Sequence, residues 1–152
     1  MTARPGPTQT TRRGRSTRVL QTVLAGEHAA IYGYGVAGAA LAGGQRSRAL
    51  SEFTSHRIRR DQLEALIRAR GGQPVAAAPS YVLPAPVTSA ADAVVLATLL
   101  EERLAAVWAD AVAGLAGDLR ALAVGGLRDC AVSAARWRGG SVAFPGLPER
   151  AS

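Results

Sequence analysis

The sequence predicts an all-α fold, a bundle of four helices in one domain. Of the 152 residues, 48% are apolar, 19% are charged and 5% are aromatic, a balance that excludes a disordered polyelectrolyte and favours helices rich in small residues. Apolar residues recur at three- and four-residue steps over four segments. A run of prolines separates the second segment from the third. The length suffices for a single domain with a buried core.

The first helix is predicted to follow a basic arm. Residues 1–15 are rich in Pro, Gly, Thr and Arg without apolar periodicity, and we expect them to be disordered. Ser16 or Thr17 then provides an N-cap, and Gly43 ends the helix. The face predicted to point to the core carries Leu20, Leu24, Glu27, Ile31, Tyr34, Gly38 and Leu41. One carboxylate therefore interrupts an apolar face.

The second helix is predicted over residues 45–70 and ends at Gly71. Its core-facing residues are Ala49, Phe53, His56, Arg60, Leu63 and Ile67. An imidazole therefore lies among apolar side chains on this helix.

The third and fourth helices form the second half of the pattern. Thr88 or Ser89 is predicted to cap the third helix, and the fourth covers residues 118–138. The third presents Val94, Ala97, Glu101, Leu104, Trp108, Ala111 and Leu115 to the core, and the fourth presents Leu119, Leu122, Gly126, Cys130, Ser133 and Trp137. Residues 141–152 are predicted to pack on the bundle as a C-terminal strap.

The proline-rich connector decides how the four helices are joined. Residues 72–87 contain four prolines, too many for a helix. Extended, the connector reaches up to ~50 Å, whereas a 26-residue helix is ~39 Å long. It can therefore cross the whole bundle, so that two antiparallel hairpins meet with parallel middle helices. This is the ferritin-like form of the four-helix bundle, predicted here over residues 16–152.

The positive charge is concentrated at the N-terminus. The chain has 18 basic and 11 acidic residues, and five arginines but no acid fall within the first 18 positions. The remaining 13 basic and 11 acidic residues leave a net charge of only +2. We therefore expect no nucleic-acid binding beyond weak, salt-sensitive contacts of the arginine-rich arm.

Cysteine content and hydropathy indicate a cytoplasmic protein. Cys130 is the single cysteine, which excludes an internal disulfide framework. The longest uncharged apolar run, residues 29–44, is 16 residues long and too short to span a membrane. The polar residues Glu27 and His28 interrupt any export signal after Arg12 and Arg13. We expect no membrane association, and the partner considered is a second copy of the chain in a homo-oligomer.

Three stretches of sequence resemble a known family. They are GEHAAIYGYG at residues 26–35, HRIRRDQL at 56–63 and LEER at 100–103, together with the proline-rich connector. Over about residues 17–148 the chain resembles an uncharacterised ferritin-like domain family of actinobacteria. The resemblance implies the ferritin-like fold, and it implies no assigned activity or substrate.

The candidate metal ligands match only part of the ferritin-like pattern. Two-metal centres of that fold take one Glu from each of two helices and a Glu-x-x-His from each of the other two. Glu27 and Glu101 match the single-Glu positions, and His56 matches one histidine. Phe53 lies three residues before His56, with Glu52 four residues before it. The fourth helix has no histidine, and Asp129 is its only mid-helix carboxylate.

Two functional hypotheses follow from this incomplete set. The first is a non-catalytic or structural bundle with no catalytic residue and no cofactor, whose metal site is degenerate. In it, buried carboxylates pair with basic side chains, because unpaired buried charges are costly. This predicted network consists of Glu27, His56, Arg59, Arg60 and Glu101. The alternative is a redox or storage protein that binds iron or manganese through Glu27, His56 and Glu101.

Overall fold

The computed structural model describes residues 7–147, which form four α-helices and contain no β-strand. The helices are α1 (Pro7–Ala40), α2 (Gly43–Ala69), α3 (Ala90–Gly114) and α4 (Gly117–Arg138). The predicted all-α four-helix bundle is thus confirmed. None of these helices is long and apolar enough to cross a membrane.

The first helix begins earlier than the sequence predicts. The hydroxyl groups of Ser16 and Thr17 donate to the carbonyl oxygens of Arg12 and Arg13 within the helix, so neither residue is its N-cap. Proline is tolerated in the first turn, and Gln and Arg favour helix even without an apolar face. Residues 7–15 of the predicted arm therefore form the first turns of α1. Residues 1–6 lie outside the described part of the chain.

The other helix ends follow local sequence signals. Ser89 is the N-cap of α3, as predicted, and its hydroxyl accepts a hydrogen bond from the Asp92 amide at 3.1 Å. Gly71, which follows the C-cap residue Arg70 of α2, has φ of 75°, a conformation that favours glycine. Helix α4 ends at Gly139, which adopts the left-handed conformation.

Contacts between helix ends establish the chain direction. Arg13 near the start of α1 donates to the carbonyl oxygen of Ala69 at the end of α2, so these helices are antiparallel. Gly114 at the end of α3 packs against Val19 near the start of α1. The ends of α2 and α3 therefore lie at the same end of the bundle, and the two helices run parallel. The connector crosses the length of the bundle, as predicted.

Two side chains of α1 hold the connector. The Gln21 amide donates to the Gln73 carbonyl oxygen at 2.6 Å and accepts from the Val75 amide at 2.8 Å. The His28 Nε2 donates to the Val75 carbonyl oxygen at 3.1 Å. These bonds fix the first part of the connector against α1.

The core consists of two apolar clusters with a polar layer between them. The larger cluster includes Leu20, Val23, Leu24, Leu63, Ile67, Leu104, Trp108 and Leu115. The smaller one includes Tyr34, Ala37, Leu41, Ala49, Ala93, Leu96, Ala97 and Trp137. Between them, Glu27, His56 and Glu101 are at most 1% exposed. The fold thus places three ionisable side chains at the most protected level of the bundle.

The described part of the predicted strap lies on α3. Gly146 has φ of 77°, and a Cβ there would lie 2.6 Å from the Ala105 carbonyl oxygen. Only glycine fits such an approach. Residues 148–152 of the strap lie outside the described residues.

Candidate functional site

The structure brings together Glu27 of α1, His56 of α2 and Glu101 of α3. The His56 Nδ1 lies 2.7 Å from Glu27 Oε2, and its Nε2 lies 3.1 Å from Glu101 Oε1. A neutral imidazole donates from one nitrogen only, whereas an imidazolium donates from both. Two carboxylate acceptors on opposite sides of the ring therefore match the protonated form of His56.

The charge of His56 follows from two opposing effects. Burial by itself would lower its pKa, because a charged ring loses hydration. Hydrogen bonds to Glu101 and Glu27, and the negative charges of both, raise the pKa to about 9. His56 is therefore a cation at neutral pH.

Three aromatic side chains add hydrogen bonds around the carboxylates, two of them directly and the third through Tyr34. Tyr34 Oη donates to Glu101 Oε1 at 2.6 Å and accepts from Trp137 Nε1 at 2.9 Å. Trp108 Nε1 donates to Glu27 Oε1 at 3.2 Å. Burial and the charge of Glu101 raise the pKa of Tyr34, so its hydroxyl remains a neutral donor. Sequence periodicity identified these aromatics as core residues, but it could not reveal where their polar atoms point.

Of the two arginines predicted in the network, the structure places only Arg59 there. Its Nη1 lies 4.0 Å from Glu27 Oε1, and its Nη2 donates to Asp129 Oδ2 at 3.4 Å. Arg60 instead donates to the neighbouring Asp61 at 2.9 Å. Both arginines are within one helical turn of His56, so spacing alone could not separate them. Arg59 lies in the network because its guanidinium also contacts the carboxylate of Asp129 on α4, a contact that Arg60 does not make.

Glu52 is the site residue that sequence reasoning missed. It precedes His56 by four residues, which places both side chains on one face of α2. Glu52, His56 and Glu101 each offer one ligand atom, and these three atoms lie within 4.8 Å of one another. The Ser133 hydroxyl of α4 donates to Glu52 Oε1 at 2.8 Å. Its position four residues before His56 was visible in the sequence, but it does not match the Glu-x-x-His spacing of three and was not counted as a ligand.

One carboxylate oxygen of the cluster differs from the others in its hydrogen bonding. Glu101 Oε2 is buried and has no hydrogen-bond partner, the one such side-chain atom within residues 7–147. A buried acceptor without a donor is costly, and native structures contain few of them. This oxygen is therefore the atom of the cluster best placed to accept a further ligand.

A two-metal centre does not fit these residues. Helix α4 presents Gly126, Cys130 and Ser133 to the bundle interior and contributes neither Glu nor His there. The indole of Trp108 packs directly on Gly126, where an added Cβ would lie 2.4 Å from the ring. The fourth helix therefore supplies space for an aromatic side chain in place of ligands.

The side chains whose ligand atoms converge are not the set predicted from sequence. Glu27 and Glu101 contact opposite nitrogens of His56, so one ion cannot bind all three side chains without rearrangement. Glu52, Glu101 and the His56 Nε2 form the set that converges. Glu27 would then accept the Nδ1 hydrogen and orient the ring, as carboxylates commonly do beside metal-bound histidines.

Comparisons with known proteins agree with this architecture. A family model described as a domain of unknown function, DUF4439, matches residues 19–149. The chain is similar to the crystal structure of a conserved hypothetical protein, Rv2844, from Mycobacterium tuberculosis. The sequence identity is 37%, the TM-score is 0.79, and the match covers 83% of this chain and 96% of the other. No curated protein matches the chain. The chain therefore belongs to the DUF4439 family of domains of unknown function.

Proposed function

We propose that this chain is a non-catalytic ferritin-like bundle, in which a buried network of paired charges occupies the position of a metal centre. One observation carries the proposal: both ring nitrogens of His56 contact carboxylates from two other helices. The cationic side chain thereby joins α1, α2 and α3. The network is a structural device that fixes the relative position of three helices.

The two fully buried carboxylates of the site are balanced by cations without a metal. Glu27 and Glu101 contribute two negative charges, and His56 and Arg59 contribute two positive ones. Buried charges are tolerated when they are paired and hydrogen-bonded, and removal of one partner is far more costly than removal of all. Two further acids lie beside these groups. Asp129 is 43% exposed and retains hydration, and Glu52, which is partly buried, accepts a hydrogen bond from the Ser133 hydroxyl.

The stability of variants tests this proposal. We expect His56→Leu to lower the free energy of unfolding by about 3 to 5 kcal/mol, because it leaves two buried carboxylates without their cation. The triple variant Glu27→Gln, His56→Leu, Glu101→Gln should be more stable than His56→Leu, since it retains acceptors for the aromatic donors and removes the charges. Urea unfolding of protein purified without added metal measures both values.

Arg60→Leu is the matched control on α2, since Arg60 lies outside the network. Because its ion pair with Asp61 is on the surface, its loss should change stability by less than about 1 kcal/mol. A His56→Leu variant as stable as Arg60→Leu would contradict the proposal.

A specific observation favours metal binding as a second candidate function. The unpartnered Glu101 Oε2 belongs to a cluster whose other ligands are Glu52 and His56. Two carboxylates and one imidazole suit ferrous iron or manganese. Such an ion would supply redox or storage capacity, and this chain would hold it through Glu52, His56 and Glu101.

Titration with Mn²⁺, followed by the electron paramagnetic resonance signal of the free ion, separates the two candidates. Metal binding predicts one ion per chain and at least about tenfold weaker binding by Glu52→Gln, since a ligand is lost. Glu102→Gln is the control, because Glu102 lies next to Glu101 in sequence but pairs with Arg138 at the surface. Absence of saturable binding, or equal binding by both variants, would exclude the metal site and leave the structural proposal standing.

A further inference from the structure

A second site lies about two helical turns or more from the charged network, at the end of the bundle where α1 begins and α2 ends. It is a solvent-open cleft of about 440 Å³. Three arginines line it, Arg12, Arg13 and Arg70, beside the polar residues Gln9 and Ser16. Among residues 9–147, no carboxylate lines the cleft. Three like charges thus share one concave surface.

Two of these arginines are held in place by the backbone. Arg13 Nη2 donates to the Ala69 carbonyl oxygen at 3.0 Å, and Arg70 Nη1 donates to the Leu66 carbonyl oxygen at 3.0 Å. Each bond uses one of the five N–H donors of a guanidinium group. The bonds fix both side chains and leave further donors for a ligand, and such fixed donors lower the ordering cost of binding.

Hydrogen bonds to carbonyl groups near the end of α2 explain the positions of the Arg13 and Arg70 side chains, but they do not explain the position of Arg12. Cations near a helix C-terminus are stabilised by its carbonyl groups. The guanidinium of Arg12 makes no ion pair or hydrogen bond with any residue from 7 to 147. It lines the cleft nevertheless. Arg12 is therefore the residue that distinguishes a ligand site from a capped helix end.

We propose that this cleft binds the phosphate group of a small organic phosphate. Guanidinium groups match phosphate oxygens with pairs of parallel hydrogen bonds, and a dianion would relieve the repulsion among three arginines. The volume is within the range of small-molecule sites. Leu119 of α4 adds an apolar wall suited to the organic part of such a ligand.

The shape of the site favours a small ligand over a nucleic acid. A duplex is bound by charges spread along a surface, and its affinity depends on their total number. Arg15 and Arg18 are exposed on α1 yet do not line the cleft, so the three lining arginines form a local group. Duplex DNA is therefore the competing ligand in the test.

The test is a titration of the full chain with sodium pyrophosphate at constant ionic strength, followed by amide chemical shifts. We expect saturable shifts at Arg12, Arg70 and Leu119. Arg12→Gln should weaken binding by about tenfold or more, the scale of one lost charge-assisted hydrogen bond. Arg15→Gln is the matched control, since it removes the same charge from the same exposed helix end and should leave the affinity unchanged.

Three outcomes would overturn the proposal. They are shifts that do not saturate, equal weakening by Arg12→Gln and Arg15→Gln, and binding of a DNA duplex without binding of pyrophosphate. Because Arg12 is exposed and caps no helix, its substitution should not affect folding. The thermal midpoint of each variant without ligand checks this.

Discussion

Helices α2 and α4 run antiparallel past the same charged layer and contribute opposite kinds of side chain to it. From α2 come the imidazole of His56, the carboxylate of Glu52 and the guanidinium of Arg59. From α4, the buried positions nearest this layer hold Gly126, Cys130 and Ser133. At these buried positions α2 supplies charge, whereas α4 supplies space and the Ser133 hydroxyl. The carboxylate that α4 does contribute, Asp129, is 43% exposed at the edge of the layer. A bundle can therefore bury ionised groups contributed mainly by three of its helices, provided that other residues satisfy their hydrogen bonds.

Two tryptophan side chains fill space and donate hydrogen bonds beside the buried face of α4, which carries no charged side chain. Trp108 of α3 fills the space over Gly126 and donates to Glu27, and Trp137 at the end of α4 donates to Tyr34. Both indoles contribute one donor and a large apolar surface. The charged groups of α1 and α3 thus contact neutral aromatic donors.

The largest expected effect is the pH dependence of the free energy of unfolding that His56 of α2 causes. The pKa of His56 is raised from an unfolded value near 6.5 to about 9, so the stability that its charge contributes is complete below pH 6.5 and is lost as the pH rises through 9. We expect the free energy of unfolding to fall by about 3 kcal/mol across this interval. Urea unfolding at pH 6 and at pH 9.5 measures the change.

The groups facing His56 determine whether this dependence can be assigned to it. They are Glu27, Tyr34, Glu52, Arg59, Glu101, Asp129 and Cys130. Burial raises the pKa of the Cys130 thiol, so this group stays neutral through the interval. His56→Leu should therefore remove most of the pH dependence. A variant that retains the full slope would assign the titration to another group.

An intermediate effect is expected on the α4 side. Gly126→Ala would place a Cβ 2.4 Å from the Trp108 ring, so we expect a loss of about 2 kcal/mol from overpacking. Gly125→Ala is a control one residue away, where an added Cβ meets nothing within 4 Å. It should stabilise the helix by up to about 1 kcal/mol, because glycine disfavours helix. Thermal unfolding of the pair compares them, and equal midpoints would show that the Trp108 contact is not tight.

The smallest expected effect lies at the contact between α2 and α4. Ser133→Ala removes the hydroxyl that donates to Glu52, and we expect a cost of about 1 kcal/mol. Thr54→Ala is a suitable comparison, since its exposed hydroxyl bonds only to its own helix. If both substitutions have the same effect on urea unfolding, the Ser133 hydrogen bond does not stabilise the contact between α2 and α4.

Periodicity predicted most of the fold because each helix buries one face. The apolar steps located α2, α3 and α4, and Ser89 was correctly one of two predicted caps for α3. The predicted start of α1 was wrong, because residues 9–15 form helix without an apolar face. Such a segment carries no periodic signal, so its helical state was not visible in the pattern.

The candidate site was predicted in part for a related reason. Glu27, His56 and Glu101 were identified because they are ionisable residues at core-facing positions. The choice of Arg59 over Arg60 depends on Asp129 of another helix, and the role of Glu52 depends on Glu101. Contacts between distant segments decide both, and helical spacing within one segment contains no information about them.

The two hydrogen bonds of Gln21 also bear on how the length of the connector can vary. One amide group contacts the backbone on both sides of Pro74, so an insertion between Arg70 and Val75 would shift this stretch out of register with α1. Residues 76–80 are exposed, and Val82 is 99% exposed. Relatives of different connector length should therefore carry their insertions and deletions after Val75. The connector between the two hairpins thus has a first part that is fixed against α1 and a second part whose length can vary.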